Sequence, residues 1–297
     1  MSNIGRKLLL FPRYVYFAAK SLHEDHEGKT RELAYRDRLL DGVADLILLQ
    51  RYKESRNVFQ SFGSSSFSQG DEDGLTMEII KRIGLKQGTF LEFGIGDGRE
   101  NNTLILRSLG FKGAWVDALD NDHLRDIGSK EFYYQKEWIS EANVLEIMEN
   151  FRQVFESVPQ VVSIDLDGND YWIWKKILEA GYRPEIAIAE YNARFPLPID
   201  WKMPYNKEHN WLEDDYYGAS LQALINLFSK FEYFPLVCSI NGTNVFFVKN
   251  SYLDRFPEHS ETADIFLGPF YTFKEFNGHQ VSLKTVRSIL QGDSVAF

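Results

Sequence analysis

The chain has one cysteine, Cys238, in 297 residues. That excludes an internal disulfide framework and a cysteine-based zinc site, and it suits a reducing compartment. Positive charge is also scarce: 33 Lys and Arg stand against 43 Asp and Glu, a formal net charge of -10. Nonspecific affinity for nucleic acid comes from basic side chains neutralising phosphates, so the balance argues against DNA or RNA and for a small or neutral partner. No apolar run reaches the roughly 20 residues that span a bilayer. The opening Arg6-Lys7-Leu8-Leu9-Leu10-Phe11 starts like a signal peptide, but Pro12 and Arg13 cut it short. The expectation is a cytoplasmic protein, with peripheral membrane contact through this segment as the lesser alternative. A dinucleotide fingerprint is missing too: G-x-G-x-x-G counted from Gly94 needs a glycine where Arg99 stands, which disfavours NAD.

What the chain does have is the stretch Thr89 to Thr103, TFLEFGIGDGRENNT. Thr89 to Phe93 is a short apolar run with one acid, the pattern of a buried strand. Gly94, Gly96 and Gly98 follow at every second position, and a polar segment then opens the helical run Leu104 to Leu109. Strand, glycine turn and helix start in that order bring backbone N–H groups against a ligand, because glycine has no Cβ and tolerates positive φ. The stretch reads as a nucleotide-type cofactor site.

With 44% hydrophobic and 15% aromatic residues the chain can bury a full core, and one large domain with extensions is expected. Residues 1–60 read as an amphipathic helical extension, from Leu33, Leu39, Leu40, Val43, Leu46, Ile47 and Leu49 at near-helical spacing. This segment suits packing or homo-oligomer contacts. His23 and His26, set among Glu24, Asp25 and Glu27, read as a solvated charged patch. Further strands are expected at Ala114 to Leu119, Phe132 to Ile139, Val161 to Ile164 and Ile186 to Ala189, alternating with helices at Glu141 to Phe155 and Tyr171 to Ala180. After the helix Gly218 to Phe231, a hairpin joins Tyr233 to Ser239 and Val245 to Val248 through Asn241-Gly242. Pro235 belongs at a sheet edge or strand start. Residues 251–297 hold scattered Phe and Tyr and read as a packing or oligomer segment.

Three places carry chemistry beyond the glycine loop. Asp117, at the end of the second strand and 20 positions after Asp97, lies where an acid reaches ribose hydroxyls in nucleotide-binding βαβ units. The strands ending at Ile164 and Ala189 deliver Asp165, Asp167 and Glu190 to the carboxyl edge of the sheet, where ligands sit in open parallel sheets. Three carboxylates together need a proton, a cation or solvent. They read either as a general base or as an oxygen-ligand site for Mg²⁺ or a similar hard cation. Asp170 is read as a helix cap. Residues 192–217, with Phe195, Trp201, Tyr205 and Trp211, form an aromatic insertion at a strand end, the place for an acceptor pocket and lid. His209 there could take a proton near neutral pH, and Asp214 and Asp215 are further candidates.

The spacing Glu92-x-Gly94-x-Gly96-x-Gly98 resembles motif I of class I S-adenosylmethionine (SAM) methyltransferases, whose loop passes the amino-acid end and ribose of SAM. Ser68-Gln69 and Asp73-Gly74 resemble the S-Q-x-x-x-D-G stretch of FkbM-like methyltransferases. Ile164-Asp165-Leu166-Asp167-Gly168 resembles both the I-D-x-E-G segment of that family, with Asp167 replacing Glu, and the I-D-x-D segment of metal-dependent macrocin-type sugar O-methyltransferases. The resemblance covers roughly residues 67–250. It implies a Rossmann-like class I fold, α/β, with a seven-stranded mostly parallel sheet in the order 3-2-1-4-5-7-6 and a helical N-terminal extension. The methyltransferase domain would span 61–250, with 192–217 as its acceptor-site insertion. The implied activity is methyl transfer from SAM to a hydroxyl of a sugar, glycan or small metabolite; a non-catalytic SAM-binding or assembly subunit and an N-methyltransferase are the alternatives. Expected SAM contacts are Gln69, Asp73, Glu92, Gly94, Gly96, Asp97, Gly98, Asn102, Asp117 and Asp165. Asp165, Asp167 and His209 are the expected catalytic groups, and Asp165, Asp167 and Glu190 the metal ligands.

Overall fold

The computed structural model describes residues 46–121, 130–212 and 214–270, with isolated positions at 39, 42, 43, 124 and 288. The expectations for residues 1–38, including His23 and His26, and nearly all of those for 271–297 lie outside the described residues. Seven strands form one sheet: β1 (Thr89–Phe93), β2 (Lys112–Asp117), β3 (Phe132–Lys136), β4 (Val161–Ile164), β5 (Ile186–Glu190), β6 (Tyr233–Cys238) and β7 (Asn244–Lys249). Their order is β3-β2-β1-β4-β5-β7-β6. The first five strands in that row are parallel and β7 runs antiparallel to both neighbours. This is the Rossmann-like class I methyltransferase arrangement implied by the motif series.

Alternation along each strand divides the interior into two cores. Leu91, Phe93, Val162, Ile164, Ala187, Ala189 and Phe247 face one side of the sheet. They meet α3 (Val144–Phe155), α4 (Asp170–Glu179) and α5 (Leu221–Phe228). Phe90, Trp115, Val161, Ile186, Ile188 and Phe246 face the other side, covered by α1 (Glu72–Ile83) and α2 (Leu104–Ser108). Central parallel strands are apolar on both faces because both are covered, and β1 is buried along its whole length. The face of α3 follows helical periodicity, with Val144, Ile147, Met148 and Phe151 buried.

Several boundaries move from their sequence positions for local reasons. β2 starts at Lys112 because its pairing with β1 begins at Thr89 opposite Lys112. α3 starts three residues late: Asn143 Oδ1 accepts the Ser140 N–H at 2.8 Å and closes residues 140–143 into a turn. α5 starts after Ser220, whose Oγ accepts the Ala223 N–H at 3.2 Å. Pro235 lies on β6, the edge strand, beside a register shift. At the amino end, residues 46–54 are helical and are fastened by Arg51 Nη2 to Gly268 O at 2.7 Å and by Tyr52 to Asp71 at 3.0 Å. Beyond the hairpin, Phe256 packs into the second core and Ile265, on α6 (Thr262–Ile265), into the first. Among the described residues, no helix is long and apolar enough to cross a membrane.

Candidate functional site

At the carboxyl ends of β1, β2, β4 and β5 lies a cleft of about 560 Å³, within the roughly 300–1,000 Å³ usual for small-ligand sites. Its floor is the glycine loop after β1. Gly94, Gly96 and Gly98 all have positive φ, at 75°, 55° and 78°, but each is glycine for its own reason. A Cβ on Gly94 would lie 1.6 Å from Asp165 O, so the loop rests directly on the backbone of the turn after β4. On Gly98, an expected cofactor contact that is absent from the cleft lining, it would lie 2.9 Å from Leu124 Cδ1. On Gly96 it would meet nothing within 4 Å, and Gly96 lines the cleft.

Two acids shape this loop. Asp117 Oδ2 accepts the N–H groups of Ile95 at 2.7 Å and Gly96 at 2.9 Å, and Oδ1 accepts that of Leu119 at 2.7 Å. A carboxylate accepts about four hydrogen bonds, so two are spent on the loop, one on the turn after β2, and about one lone pair is left for a ribose hydroxyl. Glu92 accepts Asn102 N–H at 2.9 Å, Thr103 N–H at 3.1 Å and Thr103 Oγ–H at 2.5 Å. It thereby closes the segment that leads into α2. Burial raises the Glu92 pKa, and these donors pull against that rise. Both acids line the cleft while holding its floor in shape.

Gln69, Asp97 and Asn102 also line the cleft. Asp97 turns its carboxylate to Arg99, and Asn102 Nδ2 donates to Ser163 Oγ at 3.1 Å. Asp73 does not belong with them. Its Oδ2 accepts the N–H groups of Ser66, Phe67 and Ser68 at 2.7, 2.5 and 3.0 Å, so it folds the serine-rich loop from beneath and is absent from the cleft lining.

The acids on the neighbouring strands come together. Ligand atoms of Asp165, Asp167 and Glu190 lie within 4.8 Å of one another, and all three residues line the cleft. Burial first, and then Asp167 and the other nearby acids, hold the Asp165 carboxyl well above its ordinary pKa; burial and then Asp165 do the same to Glu190. Asp165 and Glu190 thus share a proton readily. Asp170 does not join them. It is fully buried, accepts Leu166 N–H at 2.7 Å and Gly168 N–H at 3.0 Å, and fixes the turn that carries Asp167. Asp167 itself has φ of 51°, an uncommon conformation for a residue with a side chain.

His209 is seated on this turn. Its Nε2 lies 3.0 Å from Asp167 O, and since a carbonyl only accepts, Nε2 carries the proton and Nδ1 is the basic nitrogen. A Cβ on Gly168 would come within 2.2 Å of the imidazole, so Gly168 makes room for the ring. The rest of the aromatic insertion divides in two. Phe195 and Trp201 stack at 4.1 Å and form a small core with Met203, away from the cleft, whereas Trp211 and Tyr217 line it. Asp214 and Asp215 do not line it: Asp214 Oδ1 accepts Tyr216 N–H at 3.0 Å, and Asp215 lies 3.8 Å from Arg194. Sequence reasoning missed Asn101, Trp138, Asn169 and Asn244, all in the lining. Asn101 had a signal, since it adjoins Asn102, an expected cofactor contact, in the polar segment that opens the helix.

The lining is one-sided in charge. Seven acidic residues line the cleft, Glu92, Asp97, Glu100, Asp117, Asp165, Asp167 and Glu190, and none of the described residues lining it is a lysine or arginine. A pyrophosphate would find no counter-charge there. A cofactor with a sulfonium and an ammonium fits, and the buried Asn101 amide, whose oxygen has no hydrogen-bond partner among the described residues, is a polar group such a ligand could satisfy.

No family model and no curated protein matches the sequence. Among solved structures, the methyltransferase domain of bacterial CtHen1-C aligns at 15% identity and TM-score 0.37, over 60% of this chain and 96% of that one. A structure described as "Conversion of a Disulfide Bond into a Thioacetal Group during Echinomycin Biosynthesis" aligns at 15% identity and TM-score 0.34, over 61% of this chain and 85% of that one. The strand order defines the fold independently of these alignments.

Proposed function

We propose that the chain is a SAM-dependent methyltransferase whose acceptor is a hydroxyl of a sugar, glycan or small metabolite, the class suggested by its likeness to FkbM-like enzymes. The observation that carries this reading is the cleft itself: a glycine loop open at Gly96, at the carboxyl edge of a sheet in the order 3-2-1-4-5-7-6, with an acidic lining that suits a cationic, phosphate-free cofactor. SAM would supply a methyl group already activated on sulfur. The loop from Gly94 to Gly98, Asn101, Asn102 and the remaining lone pair of Asp117 would hold it.

The protein must then orient an acceptor oxygen and remove its proton. Asp165 and Asp167 stand beside the loop for that purpose, and His209, with Nδ1 as its basic nitrogen, is the second candidate base. Asp165, Asp167 and Glu190 are also the residues that would hold a hard divalent cation, with oxygen ligands of the kind Mg²⁺ prefers. Calorimetry with SAM and with S-adenosylhomocysteine tests the cofactor. Transfer of a tritiated methyl group, with EDTA and with added Mg²⁺, tests the reaction and the cation. Failure of the purified chain to bind either compound would sink the proposal.

A further inference from the structure

One corner of the cleft offers acceptors with nothing to accept. Asn244 opens β7 and pairs in antiparallel register with Glu190, the last residue of β5. Residues opposed in this way carry their side chains on one face, with Cβ atoms about 4.5–5.5 Å apart, and both line the cleft. Asn244 is only 5% exposed, and its amide has one orientation. Nδ2 donates to Glu72 Oε1 at 3.1 Å and to Thr243 Oγ1 at 3.3 Å. Glu72 is a buried side chain whose other oxygen accepts Gly70 N–H at 2.9 Å. An ionised carboxylate only accepts, so the nitrogen of Asn244 must face it and Oδ1 must face away.

Among the described residues, neither Oδ1 of Asn244 nor Oε2 of Glu190 has a hydrogen-bond donor. Buried acceptors left bare are costly, and native structures leave few of them. With Asp165 and Asp167 alongside, the corner where β4, β5 and β7 end gathers oxygen acceptors, and no described residue lining the cleft is a lysine or arginine.

We propose that this corner is the subsite for the hydrogen-bond-donating groups of the methyl acceptor, hydroxyls or a protonated amine, and that it turns away acceptors bearing phosphate or carboxylate. Asn244 is the contact residue. Glu72, which does not reach the cleft, is a positioning residue that fixes the direction of the Asn244 carbonyl. The inference rests on the methyl-transfer reading and adds to it the charge and polarity of the acceptor.

The test incubates the full chain with methyl-tritiated SAM and a polar metabolite extract, then sorts labelled products by ion exchange. Label in the neutral and cationic fractions is expected. Label held on the anion exchanger, with or without Mg²⁺, overturns the inference and leaves the methyl-transfer reading standing; no label in any fraction brings down both. With the accepting fraction as substrate, Asn244→Ala should raise KM roughly tenfold, the loss of about one good hydrogen bond. Its affinity for S-adenosylhomocysteine should not change. Glu72→Gln, whose amide can face either atom of Asn244, should raise KM in the same direction. Wild-type KM in both variants, or competition by glucose 6-phosphate stronger than by glucosamine, would also overturn it.

Discussion

Replacing Gly94 and Gly96 separately by alanine should give two different failures, although both belong to one sequence motif. Each substitution puts a side chain at a positive φ, 75° and 55°, which costs about 1–2 kcal/mol. For Gly96 that is the whole structural cost, because its Cβ would meet nothing within 4 Å. For Gly94 the Cβ would lie 1.6 Å from Asp165 O. Ordinary contact needs about 3.5 Å, so the turn bearing Asp165 and Asp167 must retreat by about 2 Å. Overpacking of this kind adds about 1–3 kcal/mol, and the total, about 2–5 kcal/mol, is a large part of the about 5–15 kcal/mol that holds a domain folded. Chains of this size lose about 2–4 °C per kcal/mol. Gly96→Ala should therefore melt a few degrees low and lose SAM affinity, its methyl group standing in the cleft. Gly94→Ala should melt lower still, by about 4–20 °C, or fail to fold. Thermal unfolding and calorimetry on the two variants decide the matter. Equal melting temperatures would refute the close approach at Gly94, and wild-type SAM affinity in Gly96→Ala would refute the placement of the cofactor over that loop.

Asp117→Asn should lower SAM affinity by more than tenfold and also reduce thermal stability, because the new NH₂ group faces N–H groups that now have an acceptor; affinity loss without any stability loss would mean that the ribose contact is its main role. Gly168→Ala should reproduce the activity loss of His209→Ala, since its methyl group displaces the imidazole; full turnover in both would remove His209 from the chemistry. Burial and the neighbouring Glu72 lift the Asp71 pKa from 3.8 to about 7, so the folded state binds its proton more tightly. The stability from that group is complete below the unfolded value and is lost as pH rises through about 7, with a slope of up to about 1.4 kcal/mol per unit. Wild-type melting temperature should accordingly fall between about pH 4 and pH 7, the window those two values define, and Asp71→Asn should flatten that fall; parallel curves would refute it.

How much was legible in the sequence depended on how far apart the interacting residues lie. β1, β4 and β5 announce themselves because strands buried on both faces are continuous apolar runs, and Asn241-Gly242 marks the hairpin. The acids at strand ends were visible for the same reason: a short apolar run followed by Asp165 or Glu190 fixes where the carboxylate emerges. Functions set by distant partners were not. Asp117 reads as a ribose ligand from its position, yet most of its hydrogen bonds go to amides more than 20 positions earlier. Asp73 reads as a cofactor contact by resemblance, yet three successive N–H groups at 66–68 capture it. The aromatic insertion gave composition without direction, and only packing separates Phe195 and Trp201 from Trp211.

The insertion grips the body of the protein mainly through its main chain. Trp172 donates to Met203 O, Trp138 to Lys207 O, and Asn169 both donates to Asn206 O and accepts Asn206 N–H. Since every one of these anchor points is a peptide group, which any residue but proline supplies in full, the fastening does not dictate the side chains strung between them. Tyr205 and His209 are held to the body by their side chains as well, at Glu141 N–H and Asp167 O, so the other positions of 205–211 are the place to begin redirecting this scaffold.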